Sequence, residues 1–133
     1  MSENAPQKQS LYDAIGGDTG VRALVDRFYD LMDSDPNYAG LRKMHPPSLA
    51  DARDKLYWYF SGWMGGPDLF VERFGHPRMR ARHIGFSIGI SERDQWLSCM
   101  KTALQDSVLE DPVKEKLLQA FAQIAEAIRN KPE

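Results

Sequence analysis

Cysteine occurs once in this chain, as Cys99, so no disulfide can form within it, a composition that suits a reducing compartment. No apolar run approaches the roughly 18 residues that a membrane span requires. A basic excess is missing too: 17 lysines and arginines face 19 acidic residues, for a net charge of −2, which argues against a nucleic-acid partner. The single cysteine and three scattered histidines lack the spacing of a zinc site. The chain contains no Gly-rich phosphate loop and no Gly-x-Ser-x-Gly motif, and no repeat or low-complexity tract. No segment makes a convincing strand. The alternation in Phe86-Ser87-Ile88-Gly89-Ile90 is short and broken by glycine, and reads as the lead-in to a helix. Met1–Gln9 has no apolar core of the kind that marks a secretion signal. The expectation is a flexible tail over 1–10, one domain over 11–130, and a cytoplasmic location.

What is present is a series of helical stripes. At 133 residues with 42% hydrophobic content, the chain can bury the core of one domain. A short helix over Leu11–Ile15 stops at Gly16-Gly17, where glycine can take the left-handed conformation. Val21, Leu24, Val25, Phe28 and Met32 recur at helical spacing from about Gly20 to Asp33. Leu49, Ala52, Leu56, Tyr59, Phe60 and Trp63 form a second long stripe, opened by a Ser48–Asp51 capping pattern and closed by Gly65-Gly66-Pro67. A third begins at Ser91, with Asp94 three residues on, and carries Trp96, Met100, Ala103 and Leu104. A fourth has Asp111 as N-cap and Pro112 in its first turn, then Leu117, Leu118, Phe121, Ile124, Ala125 and Ile128. The pattern is lost from Pro67 to about Arg82, which reads as a long functional connection. An all-α domain follows; the stripes alone do not separate a plain bundle from a globin-like arrangement.

The residues able to carry chemistry gather after that connection. In Gly75-His76-Pro77-Arg78-Met79-Arg80-Ala81-Arg82-His83 a histidine closes an arginine-rich run, and Trp96 follows thirteen residues later. Neutral imidazole is a good iron ligand whose second nitrogen can bond a backbone carbonyl. Guanidinium groups pair with carboxylates through a planar fork. His83 is therefore a candidate metal ligand. Arg78, Arg80, Arg82 and His76 are candidates to neutralise an anionic, iron-bearing cofactor such as haem, with one or two of the arginines reaching a single pair of propionates. A solvated loop is the competing reading. Ile84 and Phe86 could wall an apolar pocket, as could Ala52 and Leu56, one turn apart. Trp96 offers a donor-only indole N–H, though a tryptophan on an apolar stripe is also ordinary core. Tyr29 stands at the edge of its stripe, its hydroxyl turned either to water or inward; position alone does not decide. His45, in Met44-His45-Pro46-Pro47, is either an unremarkable turn residue or a third polar group over a pocket, able to titrate near neutrality.

Taken in order, these segments resemble the truncated haemoglobins, specifically group II. The likeness spans about Leu11 to Ile128 and rests on Leu11-Tyr12-Asp13-Ala14-Ile15-Gly16-Gly17, Arg27-Phe28-Tyr29, Trp63-Met64-Gly65-Gly66-Pro67, the Gly75–His83 run, and Glu92-Arg93-Asp94-Gln95-Trp96-Leu97. The resemblance implies a two-over-two helical sandwich around haem b. It implies His83 as proximal ligand, Trp96 and Tyr29 as distal donors, His45 at the front of the pocket, and Ala52 and Leu56 on the distal helix. It also implies that the Pro67–Arg82 loop replaces most of the helix that carries the proximal histidine in full-length globins.

The same resemblance frames the function. Donors from Tyr29, Trp96 and His45 would retain a diatomic ligand: oxygen first, then nitric oxide, carbon monoxide or peroxide. Tight retention suits redox chemistry, of a nitric oxide dioxygenase or peroxidase kind, fed by an unidentified reductase. A simple oxygen carrier or sensor is the alternative, and a haem-free helical interaction domain a remote third. No membrane or nucleic-acid partner is expected, and the chain is expected to be a monomer or weak dimer.

Overall fold

The structure is a computed structural model that describes residues 10–132. Of the tail expected over 1–10, all but Ser10 lies outside the described residues. Ser10 is the N-cap of the first helix, its hydroxyl accepting the Asp13 N–H at 3.0 Å. In chain order the helices are α1 (Leu11–Ile15), α2 (Gly17–Ser34), α3 (Ala39–Arg42), α4 (Ala50–Trp63), α5 (Leu69–Phe74), α6 (Met79–His83), α7 (Ile90–Gln105) and α8 (Asp111–Ile128), with a 3-10 turn at Pro36–Tyr38 before α3. No strand occurs among the described residues.

The four long helices form two packed pairs. α2 lies against α4, α7 against α8, and α2 also crosses α7. This is the two-over-two arrangement that the resemblance implies. Aromatic side chains join the pairs. The Phe121 ring on α8 stacks on Phe60 of α4 at 5.0 Å and on Trp63 at 5.4 Å, and Trp96 of α7 meets its edge at 5.9 Å. Trp96 in turn packs edge-on against Phe28 of α2 at 5.4 Å. Phe28, Phe60 and Phe121 are fully buried. Cys99 is buried beside them and donates to the Phe28 carbonyl at 3.2 Å; burial pushes its thiol up to about 12, so it is an inert core residue.

Ion pairs lace the outer seam between α2 and α4. Arg53 reaches Asp26 at 3.2 Å and Asp30 at 2.6 Å, and Arg22 reaches Asp54 at 2.9 Å. These side chains are partly exposed, so each pair adds well under about 1 kcal/mol.

Three expectations change. The Pro67–Arg82 stretch is not irregular: α5 and α6 occupy much of it. Their six and five residues are too few to show a helical period, and Phe70 and Phe74 hold α5 by packing on Tyr59 and Trp58. The same shortness hid α3. The caps also shift. The Ser48 hydroxyl accepts the Ala50 N–H within a turn, with Leu49 at the N-cap of α4. At α7 it is Glu92, not Asp94, that reaches back, accepting the Gly89 N–H at 2.7 Å. α8 begins at Asp111, with Glu110 at its N-cap.

One close approach sets the angle between α1 and α2. Gly16 turns the chain in the left-handed region at φ 101°, and Gly20 then sits against the Ile15 carbonyl. A Cβ on Gly20 would lie 1.8 Å from that oxygen, a backbone atom that cannot swing aside. Helix propensity alone would favour alanine by up to about 1 kcal/mol, but the steric term is larger. Gly20→Ala is expected to lower the unfolding free energy by about 1–3 kcal/mol in equilibrium urea unfolding; a raised midpoint would mean that propensity wins.

Candidate functional site

Between the helix pairs lies a cavity of about 470 Å³. Leu41, Met44 and His45 close one side. α4 contributes Lys55, Leu56, Tyr59 and Phe60. Phe70, Met79, Arg82 and His83 come from α5 and α6, Phe86 and Ile88 from the following loop, Trp96 from α7, and Ile124, Ala125 and Ile128 from the last turns of α8. The walls are thus largely apolar, with a few polar groups placed singly, the pattern of a small-molecule or cofactor site.

His83 is the best-defined of those groups. Its Nδ1 donates to the Met79 carbonyl, four residues back in α6, at 2.6 Å. That bond settles the tautomer: the proton is on Nδ1, and Nε2 keeps its lone pair at the cavity wall. Loss of the bond would free the ring to rotate about a five-residue helix that has no buried residue of its own.

His45 faces the same cavity from the turn after α3, and its Nδ1 lies 3.0 Å from the Leu41 carbonyl. Burial lowers its pKa, with the Arg42 charge and the His83 imidazole acting in the same direction and the Leu41 carbonyl opposing them. Trp96 lines the cavity as well. Its Nε1–H has no partner among the described residues, and none of their buried side-chain nitrogens or oxygens is left unpaired. The indole donor is therefore not sealed into packed core. Tyr29 stands one layer back. It is 5% exposed, does not line the cavity, and packs edge-on to His45 at 5.9 Å between ring centres. Burial pushes its phenol well above the ordinary range, opposed by the Arg53 guanidinium above its ring, so at neutral pH it is a donor.

The arginine run divides. Arg82 lines the cavity, its Nε spent on the Pro77 carbonyl at 2.5 Å and its guanidinium 4.9 Å from the Phe70 ring centre. Arg78 and His76 instead line a second cavity of about 420 Å³ beside α5, on the other side of Met79. His76 Nδ1 accepts the Arg78 N–H at 3.1 Å and so stabilises the left-handed turn at Arg78, φ 47°. Arg80 is exposed and lines neither cavity. Leu56 and Phe86 stand in the cavity wall, whereas Ala52 packs against the core one turn away and Ile84 is 79% exposed. Two cations escaped sequence reasoning. Lys55, beside Leu56, makes no ion pair among the described residues; Arg93 lines the cavity but is held by Asp94 and Glu126. Lys55 follows Ala52 by three residues, a spacing that puts it on the same face and could have found it.

A two-over-two helical sandwich with an imidazole-bearing apolar cavity defines a truncated globin. The comparisons agree. Residues 10–130 match the family model for bacterial-like globins. The chain is 36% identical over 133 residues to the group 2 truncated haemoglobin YjbI of Bacillus subtilis, covering all of this chain and 94% of that protein. Its structure superposes on the truncated haemoglobin of the Antarctic bacterium Pseudoalteromonas haloplanktis TAC125 with a TM-score of 0.89 at 41% identity, over 92% of this chain and 99% of that one. It also superposes on the group II 2-on-2 haemoglobin of Agrobacterium tumefaciens with a TM-score of 0.88 at 40% identity, over 95% and 98% of the two chains. The protein belongs to the bacterial-like globins, among the group II truncated haemoglobins.

Membership implies a haem cofactor and gaseous ligands such as oxygen. The residues present fit that cofactor: an imidazole with one free nitrogen, apolar walls for a flat macrocycle, and the Lys55 and Arg82 cations for its carboxylates. No helix among the described residues is long and apolar enough to cross a membrane.

His45 carries a pH-dependent consequence. Its folded pKa lies below the ordinary value of 6.5, so in the window between the two the unfolded chain binds more protons. The stability present above 6.5 is then lost as pH falls through that window. Unfolding midpoints in urea should drop between about pH 7 and pH 5, and the drop should shrink in His45→Phe; an identical slope in both proteins would contradict the assignment.

Proposed function

We propose that the chain binds haem b through His83 and retains a diatomic ligand, chiefly oxygen, for redox chemistry with nitric oxide or a peroxide. The observation that carries this reading is the His83 imidazole, with Nδ1 fixed to the Met79 carbonyl and Nε2 free at the wall of an apolar cavity shared with Trp96 and His45. Haem, when bound, supplies reversible gas binding and electron transfer at its iron.

The chain's own residues set how long the ligand stays. Trp96 donates its indole N–H into the cavity. Tyr29 stays protonated behind His45, edge-on to its ring, and acts on the ligand from that second layer. Each such hydrogen bond contributes about 0.5–1.5 kcal/mol net, so two of them slow escape on the order of ten- to a hundredfold. Lys55 and Arg82 hold the haem carboxylates at the rim, while Leu56, Phe60 and Ile124 exclude water. Retention of this kind serves a reactant that waits for a second one, with a reductase partner in the cytoplasm returning the electron. A carrier or sensor is the second reading. It is favoured by the place of Tyr29 outside the cavity wall, which leaves fewer donors at the ligand.

The test is oxygen dissociation from the reduced, haem-loaded protein by stopped-flow absorbance, with Trp96→Phe and Tyr29→Phe alongside. Slow release that accelerates about tenfold in Trp96→Phe, and by less in Tyr29→Phe, is the expected result. Fast release in all three proteins would leave carriage or sensing. Haem uptake undiminished in His83→Gly would remove the premise itself.

A further inference from the structure

The segment that follows His83 has little of its own to hold it. Ile84 is 79% exposed, and a Cβ on Gly85 would touch nothing within 4 Å. Yet this segment leads directly out of α6, the short helix on which His83 sits. A five-residue helix leaves most of its carbonyls without partners inside the helix.

Backbone N–H groups of Ile84 and Phe86 reach the Ala81 and His83 carbonyls, and one side chain from beyond α8 adds a second donor to the His83 carbonyl and ties down the segment after it. The Asn130 side-chain amide donates to the His83 carbonyl at 3.2 Å and to the Phe86 carbonyl at 2.9 Å, and its Oδ1 accepts the Ile88 N–H at 2.9 Å. Its backbone N–H donates to the Ile88 carbonyl at 2.9 Å, and the Lys131 N–H reaches the same oxygen at 3.1 Å. Two carbonyls require the NH₂ end and one N–H requires the oxygen, so the amide orientation has a single solution. Asn130 is itself anchored. Arg129 donates to both Glu126 oxygens at 2.8 Å and to the Lys131 carbonyl at 2.7 Å, which fixes the chain as it leaves α8.

We propose that Asn130 is a positioning residue for the cofactor: by bonding the His83 and Phe86 carbonyls it holds the end of α6, and with it the orientation in which His83 presents its free nitrogen to the cavity. The proposal rests on His83 being the haem ligand. It adds that an exposed residue beyond the last helix governs that bond. Among the described residues no other side chain bonds these two carbonyls. Asn130→Asp would keep an acceptor for the Ile88 N–H but turn an anion toward two carbonyls. Alanine would remove all three side-chain bonds.

The test uses the haem-loaded protein, with Asn130→Ala and Asn130→Asp, and with Leu118→Ala as a destabilised control in α8 whose side chain lines no part of the cavity. Two quantities are read: the rate of haem transfer to an excess of apoglobin, and the iron–histidine stretching band of the ferrous, ligand-free protein by resonance Raman. Both Asn130 variants should lose haem on the order of ten times faster, the usual scale for groups that orient a metal ligand, and should shift or broaden the band. Leu118→Ala should leave the band in place. An unmoved band in the Asn130 variants, or the same movement in the control, overturns the proposal while His83 ligation stands. Firm haem retention by His83→Gly with no iron–histidine band in the wild type would overturn both.

Discussion

Everything in this molecule hangs on the stack at Phe121. A single ring from α8 touches Phe60 and Trp63 of α4 and Trp96 of α7, and Trp96 passes the contact on to Phe28 of α2. Four long helices therefore meet through one aromatic cluster. Burying a ring of that size stabilises the fold by several kcal/mol, of the order that removing it would cost. The cluster also makes the cavity. Phe60 and Trp96 both pack on Phe121 and both line the cavity, so the packing that closes the core also fixes part of the wall of the site.

The cavity is largely apolar with polar groups placed one at a time, and that scarcity is what makes each of them count. Burial lowers the pKa of His45 and raises that of Tyr29, so both stand neutral at physiological pH, one a neutral imidazole and the other a phenol donor. His83 is oriented by a backbone carbonyl and not by a carboxylate. A carbonyl fixes the tautomer without adding charge, whereas a carboxylate would push more electron density onto the ring. The charged groups, Lys55, Arg82 and Arg93, line the same cavity from elements whose side chains reach solvent, which spares their charges a full desolvation penalty.

The proximal side depends on short, weakly buried elements, in contrast with the aromatic core. α6 has no buried residue, and the loop after it is tied down by hydrogen bonds to residues just past α8. Local stability follows the density of buried apolar contacts, so this is the part of the molecule where a few polar bonds have the largest effect on geometry. The Glu126 carboxylate, held between Arg93 and Arg129 well below its usual range at about 2, draws α7 and the chain leaving α8 together at the same end of the fold.

By itself the sequence determined the periods and the chemistry. The stripes of α2, α4, α7 and α8 were legible because 3.6-residue spacing needs only local information. His83 stood out because an imidazole after a run of guanidiniums is chemically distinctive, and the ordered set of segments pointed to the family. α3, α5 and α6 were not legible, since four to six residues carry too little periodicity to register. Which polar groups reach the cavity was decided only in three dimensions. Arg78, Arg80 and Arg82 alternate in sequence yet go to a second cavity, to solvent and to the cavity wall, because Arg78 sits in a left-handed turn ahead of α6 while Arg80 and Arg82, two residues apart on that helix, point in roughly opposite directions. Tyr29 and Ala52 fell behind the wall because a helix position states a direction from its own axis, not the distance to a neighbouring helix. Asn130 had no local signal at all. Its partners lie 42 to 47 residues earlier, and only the packing of α6 against α8 brings them within hydrogen-bond reach.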